Sequence, residues 1–195
     1  MKRRMVCLGL VTAVGLGVTA CAPGGERLPD RLEEIRPTQV LPSPTAAAPG
    51  GFQQVAGDHF TLSIPSGWAE APVGNSPMQK VYKAAANERM LLGIVVEKQP
   101  RSGVIEQSKV TEVGLRSRGG TGITRSEVAW PDAERAIILD WRQKAGGPQA
   151  PELRYRQLMI EVNPSLLVTV VGAAPVDDFE ESGILAAIET FRAKA

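Results

Sequence analysis

Cys21 is the residue whose type and setting best suit a defined chemistry. It ends the run Val18-Thr19-Ala20-Cys21, which follows basic residues 2–4 and an apolar stretch over residues 5–20. A basic start, a short apolar run and small residues at a cut are typical of a secretory signal that is removed. We therefore expect the segment that precedes Cys21 to act as a signal that is removed. The other cysteine, Cys7, lies inside the segment that would be lost.

The run Val18–Cys21 resembles the lipobox of bacterial lipoprotein signals, with Val where Leu is commonest. The resemblance implies that a diacylglycerol, carrying palmitate-type acyl chains, is joined to the Cys21 sulfur. It implies that a signal peptidase then cuts between Ala20 and Cys21, so that Cys21 becomes the first residue of the mature chain. It also implies attachment to a bacterial cell membrane, with the chain facing outside the cytoplasm. A plain cleaved signal and an uncleaved anchor are the alternatives. Residues 5–20 fall short of the about 20 apolar residues of a spanning helix, and glycines and threonines dilute them.

The charge balance argues against nucleic-acid binding. The chain has 22 basic and 21 acidic residues, and loss of residues 1–20 removes three basic residues and no acidic ones, which leaves 19 against 21 and a net charge of −2. A nucleic-acid binder would show a strongly basic balance or patch. Attachment to a membrane by charge would need a basic cluster. We expect neither, and we expect a monomer.

The chain divides into three segments: the signal peptide over residues 1–20, the lipidated cysteine with a Pro-rich linker over 21–50, and one domain over 51–195. Prolines deprive the linker backbone of hydrogen-bond donors, so no stable helix or sheet is expected there. The linker would hold the domain away from the membrane. The domain has the usual size of a single core, and it has no cysteine to form a disulfide. The linker prolines are Pro23, Pro29, Pro37, Pro42, Pro44 and Pro49.

Alternating apolar residues and turn signals predict strands throughout the domain. Asn163-Pro164-Ser165 predicts a hairpin, and Pro65-Ser66-Gly67 predicts a turn. The predicted strands cover residues 60–64, 79–83, 90–97, 123–130, 134–141, 153–162 and 166–172.

Two helices are predicted between and after these strands. Residues 104–118 form the first, with Gly119-Gly120 as its stop. Residues 176–193 form the second, with the acidic residues Asp177, Asp178, Glu180 and Glu181 near its positive end. The expected buried faces are Ile105, Val110, Val113 and Leu115 for the first helix, and Phe179, Ile184, Ala187, Ile188 and Phe191 for the second. Antiparallel strands with two helices predict a layered α+β fold.

The order of these elements is similar to that of PsbP/DcrB/LpqN-like domains. The opening Phe60–Trp68 (FTLSIPSGW) and the closing hairpin with Leu166–Pro175 and Ile188–Arg192 (IETFR) carry the resemblance, which covers about residues 52–193. It implies an α/β/α sandwich with a curved antiparallel sheet. It implies no shared catalytic residues, because members of the family look like adaptors, assembly factors or binding proteins, often in envelope lipoproteins.

The sequence shows no motif typical of a catalytic site. His59 is the only histidine, and no Gly-x-Ser-x-Gly elbow accompanies it. A zinc site normally needs several histidines or thiolates. The Gly-rich segments lack a phosphate-loop ending, and the four acidic residues between positions 177 and 181 lack EF-hand spacing. We expect no cofactor, no metal and no catalysis.

Five aromatic residues form a candidate ligand or partner surface, although core packing is their ordinary role. They are Trp68, Tyr82, Trp130, Trp141 and Tyr155.

Three functions remain open: a non-catalytic lipoprotein that binds a protein partner or helps assembly, a carrier of a lipid or other apolar envelope component, and a hydrolase. An exposed apolar patch would favour the first function. An enclosed apolar pocket would favour the second. His59 hydrogen-bonded to a serine and an acid in a cleft would favour the third.

Overall fold

A computed structural model describes residues 40–41, 49–74, 76–146 and 149–195. The signal peptide, its cleavage site, the lipidated Cys21 and most of the Pro-rich linker lie outside the described residues. The strands are β1 (Val40–Leu41), β2 (Phe52–Gly57), β3 (Phe60–Pro65), β4 (Trp68–Ala71), β5 (Lys80–Ala84), β6 (Asn87–Lys98), β7 (Thr121–Val128), β8 (Arg135–Lys144), β9 (Glu152–Asn163), β10 (Leu166–Pro175) and β11 (Arg192–Ala193). The helices are α1 (Val104–Ser117) and α2 (Ile184–Glu189).

The described strands form a large sheet and a small one. The large sheet has the order β1-β7-β8-β9-β10-β6-β5-β4, and the small sheet has the order β11-β3-β2. Apart from the parallel pair β1–β7, the neighbouring strands are antiparallel. The predicted hairpin at residues 163–165 is confirmed, since the Ser165 amide donates to Asn163 Oδ1 at 2.9 Å in the turn between β9 and β10. The central strand β10 is apolar and buried along almost its whole length, as expected of a strand covered on both sides.

The large sheet has two covered faces. The small sheet and α2 pack on the first face, around Ile138, Leu158 and Val170. Helix α1 packs on the second face, around Ile137, Leu139 and Met159. The predicted α+β fold, with a mostly antiparallel sheet and two helices, is confirmed.

Helix α1 begins where predicted and ends one residue earlier, at Ser117, but it has a different buried face. Val110 and Val113 are each 43% exposed, so their prediction as core residues is wrong. The buried positions are Val104, Ser108, Glu112 and Leu115. Charge pairing accounts for this rotation, because Glu112 turned inward meets Arg125 of β7. The predicted stop is confirmed: Gly119 has φ +80°, and the Gly120 amide donates to the Leu115 carbonyl at 2.9 Å.

The predicted helix over residues 176–193 is wrong in extent. Only Ile184–Glu189 is helical, turns precede it, and Arg192–Ala193 pairs with β3. Gly183 has φ +78°, a left-handed conformation that a continuous helix cannot include. The four acidic residues between positions 177 and 181 therefore lie before the helix, and the helix-dipole explanation for them does not hold. The five apolar residues predicted for its inner face are nevertheless all buried.

Two residues of the linker depart from the expectation of no regular structure. Val40 and Leu41 pair in parallel with Glu127 and Val128, at the edge of the large sheet.

Sequence patterns also left β2 unassigned, because Phe52–Gly57 is polar on its outer side and carries few apolar residues. No helix among the described residues is long and apolar enough to span a membrane.

Candidate functional site

The five aromatic residues of the predicted surface lie on opposite sides of the large sheet. Trp68, Tyr82 and Trp130 belong to the core of the first face. Trp141 and Tyr155 belong to the second face. The structure therefore brings Trp68 together with Tyr82, and Trp141 together with Tyr155, but it does not bring all five onto one surface.

Trp130, Trp141 and Tyr155 make contacts that serve packing. The buried Trp130 Nε1 donates to the Phe191 carbonyl at 3.1 Å, which joins the segment after β7 to the C-terminal segment. The Trp141 and Tyr155 rings stack in parallel, with centroids 4.8 Å apart. Burial raises the pKa of the Tyr155 phenol.

Trp68 and Tyr82 line an open depression of about 460 Å³ between β2 and β4. The side chain of Gln53 crosses it, and its Nε2 donates to the Trp68 carbonyl at 2.8 Å. At the rim, Lys80 and Glu70 form an ion pair. The whole lining comprises Gln53, Val55, Ala56, Ile64, Trp68, Ala69, Glu70 and Tyr82.

Burial is the main cause that raises the pKa of Tyr82, and the Glu70 carboxylate acts in the same direction, whereas Lys80 opposes it. The phenol therefore stays neutral at ordinary pH. The depression is lined by the Trp68 and Tyr82 rings and by the Glu70 carboxylate, which is paired with Lys80.

A second depression, of about 430 Å³, opens where β7, β8 and β9 meet at one end of the large sheet. Its surroundings are strongly charged. Arg154 forms an ion pair with Glu180, and its guanidinium carbon lies 4.5 Å from the centre of the Phe179 ring. The lining residues are Thr121, Gly122, Thr124, Asp140, Trp141, Arg142 and Arg154. Sequence patterns did not single out this arginine cluster, because its members come from separate strands.

His59 lies in the turn between β2 and β3. Its Nδ1 is 3.4 Å from the Lys194 carbonyl oxygen, and no described serine or carboxylate is hydrogen-bonded to it. Within the described residues, no group of three His, Cys, Asp or Glu side chains is arranged to hold a metal ion. The hydrolase alternative consequently gains no support from His59.

A charged network lies buried between α1 and β7. Arg125 Nε is 3.2 Å from Glu112 Oε2, and Arg125 Nη1 donates to Ser108 Oγ at 3.0 Å. Arg116 reaches the same carboxylate from the solvent side at 2.6 Å. This network fixes the rotation of α1, and that rotation turns Val110 and Val113 outward.

Val110 and Val113 are neighbours on the outer side of α1, since residues three apart share a helix face. We call this pair the α1 ridge. It contains the large hydrophobic side chains that are exposed within the described residues.

Three solved structures are similar to this chain. The solution structure of cyanobacterial PsbP (CyanoP) from Synechocystis matches with a TM-score of 0.53 and 16% identity, over 77% of this chain and 99% of that chain. LpqN of Mycobacterium tuberculosis, described as involved in cell envelope biogenesis, matches with a TM-score of 0.46 and 16% identity, over 74% and 91%. A Bacteroides thetaiotaomicron protein matches with a TM-score of 0.44 and 11% identity, over 70% and 45%.

No protein-family model matches the sequence, and no curated protein sequence matches it. The likeness to CyanoP nevertheless spans nearly all of that protein, so the described domain has a PsbP-like fold.

Proposed function

We propose that the chain is an envelope lipoprotein, tethered to a membrane through Cys21, whose PsbP-like domain binds a protein partner without catalysis. The basic residues 2–4, the apolar residues 5–20 and the run Val18–Cys21 are the observation that supports the tether. Acyl burial contributes about 0.8 kcal/mol per CH₂, and a single chain holds a protein only marginally. A diacylglycerol has two chains and would make a durable anchor.

The α1 ridge is the surface we propose for the partner. Val110 and Val113 are the large apolar side chains that the described part of the domain leaves exposed, and a surface for a partner would be centred on them. The two valines face solvent because the buried Glu112–Arg125 pair fixes the rotation of α1.

Residues 22–39 would serve as the spacer between membrane and domain. Because Val40 and Leu41 pair with β7, the linker joins the domain at the edge of the large sheet. At about 3.1 Å per residue in an extended Pro-rich chain, this spacer would reach on the order of 55 Å.

The tether is tested by cell fractionation of the Cys21→Ala variant. We expect the variant to leave the membrane fraction, while the wild type and Cys7→Ala stay in it, because Cys7 is lost with the signal. A Cys21→Ala protein that remains in the membrane fraction would refute the tether.

The partner surface is tested by site-specific photocrosslinking in intact cells. A crosslinker at Val110 or Val113 should give a discrete adduct with one protein. The same crosslinker at Gln54, an exposed residue of β2, serves as the matched control. Identical adducts at all three positions, or none at the ridge, would contradict the proposal.

The carrier alternative calls for an enclosed apolar pocket. Both depressions are open, and each is lined by polar as well as apolar residues. No feature of the described residues favours the carrier over the partner-binding domain.

A further inference from the structure

We propose that the second depression is an anion site that binds a phosphate group, held chiefly by Arg142 and Arg154. The proposal does not depend on the tether or on the α1 ridge. It concerns the far ends of β7, β8 and β9, on the first face of the large sheet.

The pairing of two arginines is the first observation. Arg142 of β8 and Arg154 of β9 are direct cross-strand partners, so both side chains lie on the same face. Like charges directly opposite each other on a sheet are destabilising. A bound anion between the two guanidinium groups would remove that repulsion.

The surrounding charges are the second observation. Asp140 is engaged through both oxygens by Arg156, at 2.8 Å from Nε and 2.9 Å from Nη2, so it is already neutralised by its neighbour. Arg154 is shared with Glu180. Arg142 is exposed and lines the depression, and among the described residues it has no ion-pair partner. The cluster contains the guanidinium groups of Arg142, Arg154 and Arg156 and the carboxylates of Asp140 and Glu180. Its net charge is therefore +1.

Arg154 is held in position before any ligand arrives. Its guanidinium lies over the ring of the buried Phe179, with 4.5 Å between the guanidinium carbon and the ring centre. Such stacking limits the conformations of an otherwise flexible side chain. The planar guanidinium fork matches the geometry of phosphate oxygens, which it can bind through two parallel hydrogen bonds.

Besides the side chains of β8 and β9, the depression is lined by a bulge at the start of β7. Thr121 faces Arg142 and Thr124 faces Asp140, so the two residues between them oppose only Trp141. A bulge of this kind redirects side chains and interrupts the ladder. Gly122 has φ +60° and open space where a Cβ would be, so no side chain projects into the depression from this position. The two threonine hydroxyls line the same depression and can donate to phosphate oxygens.

Phosphate could come from a soluble compound or from a lipid headgroup, and binding experiments on the purified full chain distinguish the two sources. Calorimetric titration with inorganic phosphate, at fixed ionic strength, should show saturable binding. Arg142→Gln should weaken this binding about tenfold or more, since it removes a charge-assisted contact. It should not lower the melting temperature, because it also removes the repulsion between the two opposed arginines. Arg101→Gln is the matched control, because Arg101 follows β6 at the opposite end of the sheet.

Flotation with vesicles then identifies the source, with every protein made as Cys21→Ala so that no acyl chain attaches it to the vesicle. Chain bound to phosphatidic acid vesicles, and released by Arg142→Gln, would assign the site to an exposed lipid phosphate. Phosphate binding without any Arg142-dependent flotation would assign it to a soluble phosphate compound. Absence of phosphate binding, or equal weakening by Arg142→Gln and Arg101→Gln, would overturn the proposal.

Discussion

Glu112 and Arg125 face each other beneath α1, with side chains only 4% and 1% exposed. Removing one member of a buried ion pair costs more than the pair itself contributes, because the remaining charge loses its partner in a medium that solvates it poorly. The pair therefore determines which side of α1 is buried. Sequence patterns did not reveal it, because helix periodicity treats Glu112 as a solvent residue and gives no sign of Arg125 on the neighbouring strand.

We expect Glu112→Gln to lower the free energy of unfolding by about 3 kcal/mol, since Arg125 would face a neutral amide. Urea denaturation of the purified chain measures this. Glu106→Gln is the matched control, because Glu106 is an exposed glutamate of the same helix and should change stability little. Equal stability of the two variants would show that the buried pair does not hold α1.

The two tyrosines make stability depend on pH in the alkaline range. Burial raises the pKa of both Tyr82 and Tyr155 above the ordinary value of 10.0. The unfolded chain then releases the phenolic protons first, so stability is fully present below about pH 10 and is lost as the pH rises through the raised pKa.

Tyr155→Phe should remove part of this loss of stability at alkaline pH. Its unfolding free energy should fall less between about pH 8 and about pH 10.5 than that of the wild type, which urea denaturation at each pH measures. The absorbance of the phenolate in the wild type should also rise at higher pH in the folded than in the unfolded chain. Identical pH profiles of variant and wild type would contradict the assigned burial effect.

At the scale of elements, strands were predictable where short-range signals define them. The turn at Pro65-Ser66-Gly67 and the hairpin at Asn163 each depend on adjacent residues. The segment 176–193 was not predictable in the same way, because its apolar spacing suits a helix but Gly183 breaks the helix and Arg192–Ala193 pairs with β3, more than a hundred residues earlier. Such long-range pairing leaves no local pattern.

Helix α2 docks on β10 through a glycine. A Cβ at Gly172 would lie 2.2 Å from Ile184 Cγ2 and 3.2 Å from Leu92 Cδ2. We expect Gly172→Ala to destabilise the domain by about 1–3 kcal/mol, because the helix must shift away from the sheet. Thermal and urea denaturation would measure the loss.

Gly67→Ala is the control for this substitution. A Cβ at Gly67 meets no atom within 4 Å, and its φ is not in the left-handed region. No loss of stability is expected there. If Gly172→Ala were as stable as Gly67→Ala, the close docking of α2 on β10 would be refuted.

At the scale of the whole molecule, the α+β fold was predictable and the candidate sites were not. The PsbP-like resemblance depends on the order of elements, which a sequence displays. The arginine cluster depends on Arg142, Arg154 and Asp140 meeting across strands, and the α1 ridge depends on a helix rotation that Glu112 sets. The molecule we propose is a PsbP-like domain on a lipid tether, with one apolar contact ridge and one anion site.

The intact mass of the protein extracted from cell envelopes tests the tether most directly. We predict a chain that begins at Cys21 and carries the added mass of a diacylglycerol on that residue. A chain that retains residues 1–20, or one that is cut there but bears a free Cys21 thiol, would contradict the lipoprotein account.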